Sequence, residues 1–91
     1  MKTTINDAIR PLLEELQVVI DKFNYFEDSN EYISENAFTI DDLPEDFYIV
    51  IKLNDTKDTG TVTVSTTDGV DYFIDRTLGV IGLENGNWVI K

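Results

Sequence analysis

The residues of this chain that could do chemistry are almost all carboxylates. Its 91 residues include eighteen Asp and Glu, seven Lys and Arg, and neither histidine nor cysteine. A general base would therefore have to be a carboxyl group whose pKa is raised by burial or by a like charge. Zinc sites built on Cys or His are excluded, and the glycines lie singly rather than in a phosphate-binding loop. We therefore expect no enzyme, no catalytic residues and no cofactor.

Residues 54–60 have the composition of a metal loop but not its spacing. An EF-hand loop needs oxygen ligands at its first, third and fifth positions and a glutamate at its twelfth. Counting from Asp55 places Lys57 third and Thr66 twelfth. We interpret this segment as a hairpin loop and predict no metal ligands. Weak calcium binding by the acids of residues 27–46 remains a third hypothesis for function.

The acidic residues are concentrated in one segment and spaced regularly in another. Residues 27–46 contain eight carboxylates and no basic residue. Four acids recur every seven residues, and on a helix they would form one outer stripe. The spacing between them would be about 10.5 Å, close to the length of three phosphate spacings along one DNA strand. We predict a partner-binding surface made of both sets and of one exposed tyrosine: Asp7, Glu14, Asp21, Glu27, Asp28, Glu31, Tyr32, Glu35, Asp41, Asp42, Glu45 and Asp46. The alternative is an acidic face that only keeps the protein in solution.

The elements that must position these residues follow from hydrophobic periodicity. Apolar residues at steps of three and four predict an amphipathic helix over residues 4–26, and residues 27–46 are predicted to be an acidic connecting segment. Alternation with a period of two predicts an antiparallel sheet over residues 47–91, with a tight hairpin at Asn85 and Gly86. We predict a single α+β domain, residues 1–91, in which one N-terminal amphipathic helix packs on a four- to five-stranded antiparallel β-meander as a two-layer sandwich.

The charge also restricts the partners. A net charge of −11 opposes direct binding to nucleic acid or to an anionic membrane surface.

No segment has the ~20 apolar residues of a membrane-spanning helix, and no secretory signal is evident, so we predict a cytoplasmic protein.

These observations predict a small acidic, non-catalytic protein-binding module. Its partner would be a basic protein, such as a nuclease or another nucleic-acid-binding protein, whose nucleic-acid-handling surface it occupies as an inhibitor. In size, acidity and lack of catalytic residues the chain is similar to phage-encoded DNA-mimic inhibitors, including anti-CRISPR and anti-restriction proteins, and to small immunity proteins that neutralise nuclease toxins. That similarity is one of composition, and no motif identifies a family.

The main alternative is a structural or assembly protein that acts through homo-oligomerisation. It would use a sheet edge, or an exposed face that contains Val50 and Phe73. The sequence is compatible with a monomer or a homodimer.

Overall fold

About half of the chain belongs to one curled antiparallel sheet. The computed structural model describes residues 2–40 and 43–91. In them one helix is followed by seven strands: α1 (Ile5–Glu14), β1 (Phe23–Phe26), β2 (Glu31–Ser34), β3 (Phe38–Thr39), β4 (Asp46–Leu53), β5 (Thr59–Thr67), β6 (Tyr72–Glu84) and β7 (Asn87–Ile90). The strand order is β1-β2-β4-β5-β6-β7, and β3 pairs with β4. The sheet forms a half-barrel in a chain with 50% strand and 11% helix, so the predicted four- to five-stranded α+β sandwich is wrong and the fold is mostly β.

Helix α1 is much shorter than the predicted helix over residues 4–26. Thr4 caps its start, and the Thr4 hydroxyl accepts a hydrogen bond from the Asp7 amide at 3.2 Å. Gln17 then adopts a left-handed φ of 57°, and the run of β-branched residues that follows it favours an extended backbone. Phe23 and Tyr25 alternate along β1 and pack against the same core as α1. The apolar residues after Gln17 therefore keep a helical spacing in the sequence although their backbone is extended, and for this reason the predicted helix is too long.

The predicted connecting segment of residues 27–46 contains two strands. Strand β2 pairs with residues 50–52 of β4, and β3 pairs with Phe47 and Asp46 on the same strand. This part of the chain is therefore an integral part of the sheet and not a connection outside it.

Strand β6 is a single strand of 13 residues. Its register against β5 shifts twice, and the extra residues on β6 are Asp75 and Leu78. A β-bulge of this kind displaces the two-residue alternation by one position, so one continuous strand has the sequence pattern of two. The predicted hairpin after β6 is confirmed: Asn85 and Gly86 have φ values of 51° and 82° and connect β6 to β7.

The core lies between α1 and the concave face of the sheet. Ile9 from α1 and the alternate residues Ile49 and Ile51 of β4 are fully buried. Each such side chain contributes about 1.5–3 kcal/mol by leaving water. Leu12 of α1 packs on Gly79 of β6, where a Cβ would lie 3.2 Å from the Leu12 Cδ1 atom. A glycine at this position allows the helix to approach the sheet.

Val50 and Phe73 do not share a face, contrary to the prediction. Val50 is opposite Thr63 and Phe73 is opposite Thr66 on the neighbouring strand β5. Because these two threonines are three positions apart, their side chains point to opposite faces of the sheet. Val50 is also buried, with 4% exposure, so it offers no contact surface.

Helix α1 is short compared with a membrane-spanning helix. α1 has ten residues, whereas a helix that crosses a bilayer needs about 20. Within residues 2–40 and 43–91 no helix is long and apolar enough to span a membrane.

Candidate protein-binding surface

The structure divides the predicted acidic surface among separate places. Two residues lie on α1 (Asp7, Glu14), two line a cleft (Asp21, Glu35), three lie at one end of the sheet (Glu27, Asp28, Glu31) and two lie at the other end (Glu45, Asp46), while Asp41 and Asp42 fall outside the described residues.

The acids spaced every seven residues form no helical stripe, so that prediction is wrong. Asp7 and Glu14 belong to α1, but Asp21 follows the end of the helix and Asp28 lies in the turn between β1 and β2. Arg10 also contacts Asp7, with 3.6 Å between the guanidinium nitrogen and the carboxylate oxygen. The phosphate-like repeat required a helix through residue 28, and the left-handed turn at residue 17 prevents it.

At one end of the sheet the acids lie beside lysines. We call this region the lysine end; it comprises Glu27, Asp28, Glu31, Lys52 and residues 54–58. Glu31 is opposite Lys52 across β2 and β4, and the Lys57 ammonium lies 5.5 Å from the centroid of the Tyr25 ring. The Tyr25 side chain is the main cause that raises the pKa of Lys57, and the charge of Glu27 raises it further. The negative charge at this end is therefore partly neutralised.

The 54–58 loop uses one of its own carboxylates to hold its shape. The Asp58 carboxylate accepts hydrogen bonds from the Thr56 hydroxyl at 2.6 Å and from the Asn54 side-chain amide at 2.8 Å. Both bonds lower the pKa of Asp58, and the bond from Thr56 has the larger effect. This carboxylate therefore supports the loop.

At the opposite end the acids lie beside aromatic rings. We call this region the acidic end; it comprises Glu45, Asp46, Tyr48, Asp68, Asp71, Tyr72 and Phe73. A groove of about 420 Å³ lies among Glu45, Asp46, Asp68 and Phe73, and no described Lys or Arg lines it. The ion pairs among described residues all lie elsewhere. The charge of the acidic end is therefore not neutralised by any described neighbour.

The acidic end carries two half-exposed rings. Phe73 is 53% exposed and Tyr72 is 41% exposed. The Tyr48 ring packs edge-on against Tyr72, with 5.6 Å between the ring centroids, and burial is the main cause that raises the pKa of Tyr72. Aromatic side chains are among the residues that contribute most of the binding energy at protein interfaces.

The turn between β5 and β6 is fixed by Asp68. Its carboxylate accepts hydrogen bonds from the backbone amides of Asp71 at 2.8 Å and Val70 at 2.9 Å, and these bonds lower the pKa of Asp68. The Thr67 hydroxyl donates to the Asp71 carbonyl at 2.9 Å. The turn therefore presents Val70, which is 84% exposed, in a defined position beside the acids.

The two ends of the sheet are electrostatically independent. They are separated by the eight residues of β4, a distance of about 23 Å at ~3.3 Å per residue. The Debye length at physiological ionic strength is ~8 Å. A charged partner at one end is therefore screened from the charges at the other.

A cleft brings together three other residues of the predicted surface: Asp21, Tyr32 and Glu35. The cleft has a volume of about 630 Å³ and also contains Phe23 and Trp88. Tyr32 is half-buried rather than exposed as predicted, and its ring centroid lies 4.7 Å from that of the Tyr25 ring. These residues thus belong to a concave site and not to the acidic end.

Five members of the acidic end lie outside the surface predicted from the sequence: Tyr48, Asp68, Asp71, Tyr72 and Phe73. The signal was available, because Asp68-Gly69 indicates a turn between two strands. In an antiparallel meander the turn that follows a strand lies beside the start of the preceding strand. The turn after β5 therefore had to lie beside the start of β4, where Glu45 and Asp46 are.

Metal binding finds no support in the arrangement of side chains. Among the residues that the structure describes, no group of three or more Asp or Glu side chains is placed to hold a metal ion.

Comparison with known proteins gives no relative for this chain. No protein-family model matches it, and neither a curated protein nor a solved structure is significantly similar to it.

Proposed function

We propose that this chain is a cytoplasmic, non-catalytic inhibitor that binds a basic, nucleic-acid-handling surface of another protein through its acidic end. The observation that carries the proposal is that Glu45 and Asp46, which have no described ion pair, line one groove with the half-exposed ring of Phe73. An acidic cluster alone would serve solubility, whereas an exposed ring within it serves a contact.

The charge and the rings have different roles in such a contact. Carboxylates steer a basic partner and raise its association rate by about 10- to 1,000-fold, but they add little affinity. Aromatic side chains that become buried between two proteins supply the affinity. The acidic end has both components within one groove, and the lysine end has partly neutralised charge.

Nucleic-acid-handling proteins are the class of partner that this surface fits best. A surface that binds a phosphate backbone is lined with Lys and Arg. Carboxylates that occupy it replace the phosphates, while the net charge of −11 prevents this chain from binding nucleic acid itself. Binding of this kind blocks the partner without any catalysis by the inhibitor.

Two variants of equal net charge test the proposal. The acidic-end variant combines Glu45→Gln, Asp46→Asn, Asp68→Asn and Asp71→Asn. The lysine-end variant combines Glu27→Gln, Asp28→Asn, Asp55→Asn and Asp58→Asn. Each amide keeps the shape and the acceptor oxygen of the acid that it replaces, so both variants retain their turns. The wild type and both variants are immobilised, exposed to lysate of the source host and eluted with a salt gradient.

The proposal expects basic nucleic-acid-binding proteins to be retained by the wild type and by the lysine-end variant, and to elute at a few hundred millimolar salt. The acidic-end variant should not retain them. With the purified partner, its association rate constant should fall by about tenfold or more. Equal retention by both variants, or no basic protein on any column, would contradict the proposal.

A second candidate function is self-association through β6. Ile74 and Val70 are 67% and 84% exposed, and β7 pairs only with residues 81–84, so the outer edge of the first half of β6 has no partner strand among the described residues. The bulges at Asp75 and Leu78 interrupt this edge, and bulges oppose strand-to-strand pairing. Self-association would therefore use the side chains and not the edge.

Sedimentation at several salt concentrations separates the two candidates. A homodimer held by apolar contacts keeps its dissociation constant as salt rises, because such contacts are not screened. It should dissociate in the Val70→Ser, Ile74→Ser double variant. A monomer at all salt concentrations excludes this second candidate.

A further inference from the structure

The cleft between the start of α1 and the sheet has the form of a small-molecule site. Its volume of about 630 Å³ lies within the ~300–1,000 Å³ range of ligand pockets. The rings of Phe23, Tyr32 and Trp88 line it. The acidic-end groove is smaller, at about 420 Å³, and has fewer rings.

The segment before α1 holds the cleft open in a defined shape. The Thr3 amide donates to the Asn87 side-chain carbonyl at 2.7 Å, and the Trp88 amide donates to the Thr3 carbonyl at 3.0 Å. On the other side the Asn6 side-chain amide donates to the Asp21 carbonyl at 2.8 Å. These bonds attach residues 3–6 to both walls, so the cleft exists before any ligand enters.

The charges that line the cleft are balanced, unlike those of the rest of the protein. Lys2 and Lys22 lie there with Asp21 and Glu35, so two of the seven basic residues accompany two of the eighteen acidic ones. A purely cationic ligand would find stronger attraction elsewhere on a chain of net charge −11, and a purely anionic one would be repelled over a distance. A ligand with one charge of each sign finds partners for both in this cleft, beside its three rings.

We infer that the cleft binds a small aromatic zwitterion of the amino-acid class. Its ring contacts Phe23, Tyr32 and Trp88, its carboxylate is attracted by the two lysines, and its ammonium group is attracted by Asp21 and Glu35. This site is separate from the acidic end and does not depend on the protein partner proposed above.

Ligand binding in this cleft can be followed by tryptophan fluorescence, because Trp88 is the single tryptophan of the chain. L-Phenylalanine, which does not contribute to tryptophan emission, is titrated while the fluorescence of Trp88 is measured. Three analogues of the same ring size serve as comparisons: 3-phenylpropionate lacks the ammonium group, phenethylamine lacks the carboxylate, and N-acetylphenylalaninamide lacks both charges.

A saturable change in Trp88 emission with phenylalanine is expected. Each singly charged analogue should bind about fivefold more weakly, which is the upper value of one partly exposed ion pair. The uncharged analogue should bind most weakly. Absence of a saturable change with phenylalanine, or equal affinity for N-acetylphenylalaninamide, would overturn the inference.

Two substitutions assign the charges. Lys22→Gln should weaken phenylalanine and 3-phenylpropionate but not phenethylamine, and Glu35→Gln should weaken phenylalanine and phenethylamine but not 3-phenylpropionate. Both leave the hydrogen bond between the Glu35 amide and the Lys22 carbonyl, at 3.0 Å, in place. Lys52→Gln, outside the cleft, is the matched control. If it has the same effect as Lys22→Gln, the inference is wrong.

Discussion

The lysine end and the acidic end carry the same kind of charged group in different surroundings. At the lysine end, Lys52 and Lys57 lie next to the acids. At the acidic end no described cation lines the groove, and Phe73 is left half-exposed among the carboxylates. Each end has one carboxylate, Asp58 or Asp68, that is bonded within its own turn. The number of acids in a segment therefore does not determine how much of its charge remains available. Their neighbours across strands decide whether the charge remains available.

The largest expected effect separates the buried Phe47, which adjoins the acidic end, from the exposed Phe73, which belongs to it. Phe47 is completely buried and Phe73 is 53% exposed. Phe47→Ala should lower the free energy of unfolding by about 3–5 kcal/mol, because it leaves a cavity in the core. Phe73→Ala should change it by less than about 1 kcal/mol, as an exposed side chain contributes little. Urea denaturation measures both. A loss of stability in Phe73→Ala similar to that in Phe47→Ala would show that Phe73 serves the fold.

The next effect compares the exposed phenylalanines of the two ends. Phe26, which directly precedes Glu27 of the lysine end, is 47% exposed and is therefore a close match for Phe73. On a purified partner, Phe73→Ala should weaken binding by about 2 kcal/mol or more, roughly thirtyfold, as expected for an interface anchor. Phe26→Ala should have no such effect. Calorimetry gives both values, and equal losses would remove the distinction between the ends.

Salt dependence should sharpen the same comparison at smaller magnitude. The association rate constant of the wild type should fall about tenfold from low to high ionic strength, because the steering charges become screened. The lysine-end variant should keep most of this dependence, and the acidic-end variant should lose most of it. Stopped-flow measurements at several salt concentrations check this. A steep dependence in the acidic-end variant would place the steering charges elsewhere.

The smallest effect concerns acid stability, in which the two ends should behave alike. Hydrogen bonds lower the pKa values of Asp58 and Asp68 below their ordinary value of 3.8. A carboxyl group whose pKa is lower in the folded state adds stability above its unfolded pKa, and this is lost as the pH falls through the folded pKa. Unfolding free energy should therefore decrease below about pH 4. Asp58→Asn and Asp68→Asn should each reduce this decrease, as followed by urea denaturation between pH 2 and pH 6. An unchanged pH profile in Asp68→Asn would show that this carboxylate does not support the turn.

Local signals predicted part of this fold well. The alternation from Phe47 predicted β4, and Asn85-Gly86 predicted the last hairpin, because both depend on adjacent residues. The end of α1 was not predictable in this way, since Gln17 is an ordinary helix residue that takes a left-handed φ here. The apolar residues after it fit either a helix or a strand. Tertiary packing selected the strand.

The candidate site was harder to predict than the fold. Residues 27–46 are close in sequence, but β2 carries the chain from the lysine end toward the opposite end of the sheet. Their acids are thereby separated. The acids that do gather at the acidic end come from two segments, around Asp46 and around Asp68, and only the strand register brings them together.

The hydrogen bond from Thr3 to Asn87 joins positions 84 residues apart, and α1 packs on β6 and β7. The ribosome therefore makes α1 long before the strands that cover its apolar side. At ~5–20 residues per second, the delay between Thr3 and Asn87 is roughly 4–17 s. Until β6 and β7 are made, the nascent residues 5–14 lack part of the sheet on which they pack. A helix of ten residues is marginal without such packing, so a chaperone that binds amphipathic nascent segments has several seconds in which to bind this one.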